Sequence, residues 1–404
     1  MHKPLEGLRI LDLSWVAQGP CATKWLGDSG ATVVKIESIK SYDVHRAYAP
    51  YAGGVPGVNR GGSFTEFNSS KYGMALDMSH PRSGEVFKKL IAWADVLLET
   101  MRPGVMEEWG YGYENVKKIN PEIIMVRGSA YGQRGPYSSL PGFGTLAQAA
   151  SGITGLVGWP DRAPAGPGVV YSDPPTACLV AIAILAASDY RRRTGKGAFI
   201  DVGQLLFVPS LLAPSILDYS LNKRIPQALG NRHQVAAPHG AFRCKGDDRW
   251  CTIAIFSDAE WKALCQAMGN PSWTGSQKFA TNKGRKENED ELEKLIESWT
   301  IGYTSEEVME RLQKVKVGAG IVREAWDLLE QDPQLKHRDY FHYLDHPEIG
   351  LHANKSAPFI LSESSRQPQM RTPCLGEHTE YICREMLGMS DEEFTELFNE
   401  GVFR

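Results

Sequence analysis

The first forty residues alternate between short apolar runs and polar loops. Residues 8–13 (LRILDL) form a short apolar run typical of a buried parallel strand. Pro20 fits the first turn of a helix that runs to about Asp28, and Gly30 fits the C-terminal end of that helix. The β-branched run at residues 32–36 predicts a second strand. The pattern therefore predicts a β-α-β unit at the start of the chain.

Helical and strand-like patterns continue to alternate through residue 202. The predicted helices cover residues 81–94, 105–119 and 174–193, and the predicted strands cover residues 95–98, 123–126 and 199–202. Strands that alternate with helices indicate a parallel sheet covered on both faces, which is an α/β fold. Between them, residues 128–168 are rich in Gly and Pro and also carry exposed-type aromatic residues. Long loops in compact domains are usually functional or disordered, and the aromatic and apolar content of this one favours a functional loop.

The composition changes after residue 224. Residues 225–330 combine a loop-rich stretch, a strand near 250–256 and amphipathic helices over 258–316. We therefore expect a smaller second domain at 225–330. Beyond it the chain contains several prolines and looks extended, before two C-terminal helices near 376–387 and 391–399.

Composition and charge exclude some classes of function. The 404 residues include 44 basic and 48 acidic side chains, a net charge of −4, which gives no basic surface for nucleic acid. The longest apolar run, residues 177–187, is half the roughly 20 residues of a membrane span, and the N-terminus has no apolar signal region. Seven scattered cysteines without a CxxC pair favour a reducing, cytoplasmic location and no metal site.

The sharpest candidate for chemistry is Asp173, which is followed by two prolines at the start of a predicted helix. One interpretation is that Asp173 only caps this helix, a role of about 1 kcal/mol. The other is a carboxylate nucleophile that the positive helix end keeps ionised. The local sequence leaves both open. Lys71, Arg102 and Arg127 lie near predicted strand or helix ends and are natural anion contacts.

The first β-α-β unit imitates a dinucleotide-binding motif without completing it. An acidic residue, Glu37, follows the second strand, as it does in NAD-binding proteins. The loop at residues 18–23 (QGPCAT) nevertheless lacks the G-x-G-x-x-G glycines that let a pyrophosphate approach the backbone. NAD binding is therefore not expected.

Twelve segments, taken together and in this order, resemble the family III coenzyme A (CoA) transferases, which include the carnitine, formyl and benzylsuccinate transferases. They are residues 5–13 (LEGLRILDL), 19–20 (GP), 30–37 (GATVVKIE), 68–77 with Lys71, 102–104 (RPG), 132–137 (GQRGPY), 148–152 (QAASG), Asp173 with its helix, 194–197 (TGKG), 332–333 (DP), 357–359 (APF) and 375–379 (LGEHT). One such motif is weak evidence of kinship, but a series of twelve in order over essentially the entire chain is strong evidence.

The resemblance implies a particular fold. A Rossmann-like large domain would be made of residues 1–224 and 331–404, with the small α/β domain at 225–330 between them. Two ring-like subunits would interlock like chain links. The extended segment after residue 330 would then close the ring.

The resemblance also implies the chemistry, because the family's nucleophilic aspartate matches Asp173. Its carboxylate would attack an acyl-CoA to give a mixed anhydride and then an aspartyl-CoA thioester, from which CoA passes to a carboxylic acid. Acyl-CoA and a free acid would be the substrates, with no permanently bound cofactor and no metal. Succinyl-CoA is the suggested donor. The matching CoA contacts are Ala17, Gln18, Ser70, Lys71, Tyr72, Met101, Arg102 and Phe143.

Two further assignments follow from the resemblance. Lys71 and Arg102 are the natural partners for the phosphates of CoA. Backbone N–H groups beside His239 and Gly240 would stabilise oxyanions.

Three departures from the family pattern leave alternatives open. The amide Gln18 is displaced by one residue, Tyr72 replaces a basic residue after Lys71, and Gly144 replaces an acidic residue near the nucleophile. One alternative is a non-catalytic subunit of a heteromeric transferase. Another is an α-methylacyl-CoA racemase, although Phe143 stands where that enzyme needs a proton-transferring histidine. Homodimer and heteromer are both compatible with the sequence.

Overall fold

The structure is a computed structural model that describes residues 3–365 and 367–404. Its largest sheet has six parallel strands in the order β3-β2-β1-β4-β5-β6. The strands are β1 (Arg9–Leu13), β2 (Thr32–Glu37), β3 (Tyr72–Ala75), β4 (Val96–Glu99), β5 (Ile124–Ser129) and β6 (Ala198–Gly203). This is the strand order of doubly wound nucleotide-binding sheets. The predicted parallel sheet and α/β class are confirmed.

One strand of this sheet was not predicted from the sequence. Strand β3 has only four residues and contains Gly73, so it lacks the β-branched run that marks the other strands. It is a strand because Tyr72 pairs with Val34 and Met74 pairs with Ile36 of the buried strand β2. Tertiary pairing thus supplies what the local sequence does not.

The α-helices of the described chain are α1 (Gln18–Asp28), α2 (Gly62–Phe67), α3 (Ser83–Trp93), α4 (Val105–Glu108), α5 (Tyr113–Ile119), α6 (Gly144–Ala150), α7 (Ile153–Leu156), α8 (Asp173–Thr194), α9 (Gln204–Leu211), α10 (Ala213–Asn222), α11 (Asp258–Ala267), α12 (Asn282–Glu287), α13 (Glu289–Thr300), α14 (Ser305–Lys314), α15 (Ala325–Glu330), α16 (Pro333–His337), α17 (Thr379–Tyr381) and α18 (Asp391–Glu400).

Helices from the first part and the end of the chain cover both faces of the six-stranded sheet. Helices α1 and α8 share one apolar core with the sheet, through Ala22, Ala177 and Val180. Helices α3, α5 and α18 share the other core, through Phe87, Val116 and Leu397.

The chain divides into two compact units. The first contains residues 1–154, 166–225 and 334–404, and the second contains residues 155–165 and 226–333. Segment 155–165, which the sequence analysis placed in the first domain, groups with the second unit. The second unit has its own three-stranded antiparallel sheet of β7 (His239–Arg243), β8 (Trp250–Ala254) and β9 (Gly318–Val322), with a core that includes Ile253, Leu264 and Ile296.

The C-terminal part of the chain returns to the first unit. It contains an antiparallel hairpin, β10 (Phe341–His346) and β11 (Gly350–Lys355), where the sequence predicted only extended chain. Further on, the backbone N–H of Gly73 donates to Nδ1 of His378 at 3.1 Å, and the N–H of Ala75 donates to Oγ1 of Thr379 at 3.0 Å. These bonds tie the C-terminal segment to strand β3.

Among residues 3–365 and 367–404, no single helix is long and apolar enough to span a membrane, and only the bent pair α9 and α10 reaches that length and apolar character, when the two helices are taken together. All seven cysteines are free thiols.

Candidate active site

The carboxyl edge of the parallel sheet gathers the N-termini of two helices. Helix α1 joins β1 to the parallel strand β2, and α8 leads into β6, so both helices run back along the sheet and begin at its carboxyl edge. The first residues of these helices are Gln18 and Asp173. Because α1 and α8 pack side by side on one face, Gln18 and Asp173 lie at the same edge.

Asp173 is buried, with 5% of its surface exposed, and its carboxylate is held by an amide. Oδ1 accepts a hydrogen bond from Nε2 of Gln204, the first residue of α9. The N-cap position belongs to Ser172, and no side chain makes a capping bond there. The interpretation of Asp173 as a helix cap is therefore wrong, since its carboxylate accepts from a side chain of another helix.

Burial raises the pKa of Asp173 to about 6, and the hydrogen bond from Gln204 opposes that rise. This rise in pKa is opposite to the lowering that a positive helix end would produce. A carboxyl with a pKa of about 6 is still ionised in roughly ten molecules of eleven at pH 7. Asp173 is thus a charged and poorly solvated carboxylate at neutral pH, which is the state a nucleophile needs.

Glycines and backbone hydrogen bonds fix the loops around the carboxylate. A Cβ built on Gly144 would lie 2.4 Å from Oδ2 of Asp173. Oγ of Ser172 donates to the carbonyl of Gly144 at 3.0 Å, and the N–H of Tyr171 donates to Oε1 of the buried Gln148 at 2.8 Å. Sequence reasoning missed Gln204 and Gln148. The signal for Gln204 was a polar residue at the start of an otherwise apolar helix.

Gln18 presents an unpaired donor against the carboxyl end of strand β5. Its side chain is buried, and among the residues that the structure describes no group accepts a hydrogen bond from Nε2. The amide packs on Gly128 of β5, where an added Cβ would lie 2.8 Å from Nε2. The preceding Ala17 is also buried and occupies the N-cap position of α1. A buried donor without a partner destabilises the folded protein, and such donors are typical of groups that bind a ligand.

Lys71 is a structural residue in this fold. Its side chain is fully buried, and Nζ donates to Oδ2 of Asp12 at 3.0 Å, to the carbonyl of Pro20 at 2.9 Å and to Oδ1 of Asn68 at 2.9 Å. These three bonds use all three donors of an ammonium group. The expectation that Lys71 binds a phosphate is therefore corrected.

The neighbours of Lys71 are also engaged inside the protein. Oγ of Ser70 donates to Oδ1 of Asp28 at 2.5 Å and accepts from the N–H of Gln369 at 2.8 Å. The ring of Tyr72 stacks on Tyr381, with the ring centroids 5.5 Å apart. The hydroxyl of Ser70 is thus used inside the protein, and the CoA contacts of Ser70 and Tyr72 stay predictions.

Arg127 is likewise paired. It contacts Glu99 through Nε and donates to Oε1 of Glu107 at 2.6 Å. The buried carboxyl of Glu99 has a pKa raised to about 7, mainly by desolvation. Nη2 of Arg127 is nevertheless buried and has no hydrogen-bond partner among the residues that the structure describes, so an anion contact of Arg127 stays a prediction.

Met101 and Arg102, by contrast, border open space at the ends of the strands. Met101 lines a cavity of about 210 Å³ together with Trp15, Ile36 and Trp109. The side chain of Arg102 is 67% exposed and pairs with the equally accessible Glu108 at 2.7 Å. An exposed pair of this kind exchanges partners at little cost. Arg102 therefore stays available to an anionic ligand.

Phe143 immediately precedes Gly144 and is 62% exposed. His239 and Gly240 begin β7 in the second unit, where Nδ1 of His239 lies 2.6 Å from the carbonyl of Asn231. They line a cavity of about 420 Å³ with Arg232 and Thr252. Their oxyanion role stays a prediction.

Within the part of the chain that the structure describes, no group of three or more His, Cys, Asp or Glu side chains is placed to hold a metal ion.

Comparison with known proteins identifies the family. A family model described as CoA-transferase family III matches residues 5–379. The chain is 32% identical over 406 residues to the succinyl-CoA–L-malate CoA-transferase beta subunit of Chloroflexus aurantiacus, which covers 99% of this chain and 98% of that protein. It is 32% identical over 404 residues to the succinyl-CoA:glutarate CoA-transferase of Mus musculus, and this match covers 99% of this chain and 90% of that protein.

A solved structure agrees with the sequence relatives. The crystal structure of a CAIB/BAIF family protein from Brucella suis has a TM-score of 0.87 and 30% identity, over 96% of this chain and all of that chain. The chain therefore belongs to the family III CoA-transferases.

Proposed function

We propose that this CoA-transferase moves CoA from succinyl-CoA to a second carboxylic acid, with Asp173 as the nucleophile. The observation that carries the proposal is the Asp173 carboxylate, which is buried, ionised at neutral pH and oriented by Gln204 at a helix N-terminus. The relatives from Chloroflexus aurantiacus and Mus musculus support the donor, since both names specify succinyl-CoA.

The proposed reaction exchanges acyl groups on Asp173 without loss of the thioester energy. An Asp173 oxygen attacks the thioester carbon, the C–S bond breaks, and the products are a mixed anhydride and the CoA thiolate. The thiolate attacks Cγ of Asp173 and releases the donor acid, which leaves an aspartyl-CoA thioester. The acceptor carboxylate attacks Cγ and expels the thiolate, which then attacks the acceptor carbonyl and frees Asp173. Each step replaces one acyl bond by another.

CoA would lie along the carboxyl edge of the sheet. The unpaired amide of Gln18 is proposed to donate to a carbonyl of CoA or of the acyl group. The cavity beside Met101 is proposed to take the apolar face of the nucleotide, and Arg102 to pair with a phosphate. Ligands of doubly wound sheets bind at this edge, which supports the placement.

We propose that the active assembly is an interlocked homodimer. Helix α8 is apolar on both faces: Val180 and Ile184 are buried, whereas Ile182 and Leu185 are 60% and 41% exposed. A helix that is apolar all round is normally buried. Helix α10 also has exposed apolar side chains, at Ile216, Leu217 and Leu221. A second copy of the chain would cover these side chains.

Trapping with hydroxylamine tests the nucleophile. The purified protein is incubated with succinyl-CoA, quenched with hydroxylamine and digested, and the Asp173 peptide is weighed by mass spectrometry. We expect a hydroxamate on Asp173 in the unaltered protein and none in Asp173→Asn. Exchange of the α-deuterium of a branched acyl-CoA without labelling would instead indicate a racemase. Neither signal would indicate a non-catalytic subunit.

A further inference from the structure

We propose that Gln204 is a catalytic residue, whose side-chain amide stabilises the negative charge that develops on Oδ1 of Asp173 during acyl exchange. The proposal rests on the proposed function, because it gives Gln204 a role in reactions at the Asp173 carboxyl. It goes beyond that function by naming the donor that acts on the enzyme's own carbonyl and the oxygen that forms the new bond.

The position of Gln204 is fixed by the fold. Gln204 is 4% exposed and begins α9 immediately after β6. The next residue, Leu205, donates its N–H to the carbonyl of Ala130 at 2.9 Å. A Cβ on the preceding Gly203 would lie 2.9 Å from the N–H nitrogen of Gly132. The amide therefore has little freedom to move away from Asp173, and a donor held in place beforehand is what electrostatic catalysis requires.

The two carboxylate oxygens of Asp173 have different surroundings. Oδ1 accepts the hydrogen bond from Nε2 of Gln204. Oδ2 lies against Gly144, which has no side chain to cover it. Oδ2 is therefore the oxygen that attacks the thioester carbon, and Oδ1 becomes the carbonyl oxygen of the anhydride and of the aspartyl-CoA thioester.

The charge on Oδ1 then rises and falls during the reaction. When the thiolate attacks Cγ, the π electrons of the Cγ–Oδ1 bond move onto Oδ1 and form an oxyanion. When the donor acid leaves, the Cγ–Oδ2 bond breaks, the electron pair departs with the acid, and Oδ1 returns to a carbonyl. Gln204 keeps its N–H on the same atom throughout. Loss of one preorganised oxyanion donor typically costs 10²–10³-fold in rate.

The same hydrogen bond acts on the ground state in a measurable way. Gln204 stabilises the carboxylate and so holds the pKa of Asp173 below the value that burial alone would give. The groups that face the carboxylate from α6 and α9, Gly144 and Gln204, are uncharged, so no ion pair replaces the lost hydrogen bond. Removal of the amide should raise the pH at which activity is lost.

The test uses Gln204→Met, which keeps the side-chain length but has no N–H donor. We expect kcat with succinyl-CoA to fall about 10²–10³-fold, and KM to change little, because the lost interaction acts on the transition state. The acid limb of the kcat/KM profile should move to higher pH. Gln148→Met is a control for the pH profile alone, since it removes another buried amide whose Oε1 holds the backbone N–H of Tyr171 rather than the Asp173 carboxylate. It should leave the acid limb in place.

A second variant guards against a simple folding defect. Gln204→Glu keeps the size of the side chain but places a second carboxyl beside Asp173, and two adjacent carboxyls share a proton. We therefore expect the ratio of its activity to that of the unaltered protein to be lower at pH 8 than at pH 6. Thermal unfolding and calorimetric binding of free CoA report whether each variant is folded.

Two outcomes separate the proposals. If Asp173 of the unaltered protein is trapped by hydroxylamine but folded Gln204→Met shows the same kcat and the same acid limb, the role of Gln204 is wrong and the nucleophile stands. If Asp173 is never trapped while the exchange proceeds, the proposed function itself fails.

Discussion

Gly144 lies directly against the carboxylate of Asp173. A Cβ on Gly144 would be 2.4 Å from Oδ2 of Asp173 and 2.3 Å from Cγ1 of Val170, both far inside van der Waals contact. The carbonyl of Gly144 also accepts the Ser172 hydroxyl at 3.0 Å, so this backbone cannot move away freely. Gly144 therefore places no side chain against Oδ2, where any added Cβ would collide with the carboxylate.

We predict that Gly144→Ala impairs catalysis. The added methyl group must displace either the carboxylate or Val170, and a displacement of about 1 Å at a reacting group can cost ~10²-fold in rate. Overpacking of a buried site should also cost about 1–3 kcal/mol of unfolding free energy. The measurements are kcat with succinyl-CoA and the urea midpoint. Gly155→Ala is the control, because a Cβ on Gly155 meets no atom within 4 Å; an unchanged kcat in Gly144→Ala would contradict the prediction.

The pH dependence of the reaction should report the Asp173 carboxyl. Its pKa lies near 6 because it is buried, and only the ionised form is a nucleophile. Activity should therefore be lost as the pH falls through about 6, and at pH 5 only about a tenth of the carboxyls remain ionised. The measurement is log kcat/KM with succinyl-CoA between pH 4.5 and 8. An acid limb near pH 4, the value for a solvated aspartate, would contradict this prediction.

Asp173→Asn should stabilise the protein at neutral and alkaline pH. The pKa is raised from 3.8 to about 6 on folding, so the folded state favours the protonated form and ionisation destabilises it as the pH rises through 6. Removal of the charge should recover up to about 3 kcal/mol at pH 8 and much less at pH 4.5. Urea unfolding of both proteins at the two pH values measures the difference. A gain independent of pH would show that the charge is not its source.

Lys71 and Arg102 should respond to substitution in opposite ways. Lys71→Met leaves the buried carboxylate of Asp12 without its ion pair, and such a loss typically costs about 3–5 kcal/mol of unfolding free energy. Arg102→Ala removes an exposed side chain, so stability should hardly change while KM for succinyl-CoA rises. Urea unfolding and KM are measured for each variant. A folded and stable Lys71→Met with a raised KM would restore the phosphate role of Lys71.

The exposed apolar face of α8 should mediate dimer formation. Ile182→Glu places a charge in the centre of that face, where burial of an unpaired carboxylate is costly, so the dimer should dissociate. Arg192→Glu alters a side chain at the end of the same helix that is 76% exposed, and it should remain dimeric. Sedimentation velocity at micromolar concentration distinguishes the two. An unaltered chain that sediments as a monomer would exclude the homodimer and favour a second type of subunit.

Part of the fold could be predicted from local patterns. The runs that form β1, β2, β4, β5 and β6 are mostly apolar or β-branched, and short runs of this kind are typical of buried parallel strands. Strand β3 and the hairpin of β10 and β11 could not be found in this way. Gly73 weakens β3, and both elements exist because neighbouring backbone pairs with them.

The sequence by itself determined the family and marked Asp173, since an ordered series of motifs and an aspartate before two prolines need no three-dimensional information. Only the tertiary structure decided what each polar group does. Lys71 and Arg102 look equivalent in the sequence, yet Lys71 is buried and bonded to Asp12, whereas Arg102 lies at the surface in an exposed pair with Glu108. Gln204 lies 31 residues from Asp173 in the chain. Burial and hydrogen bonding depend on which segments distant in the sequence come into contact, and the local sequence does not encode those contacts.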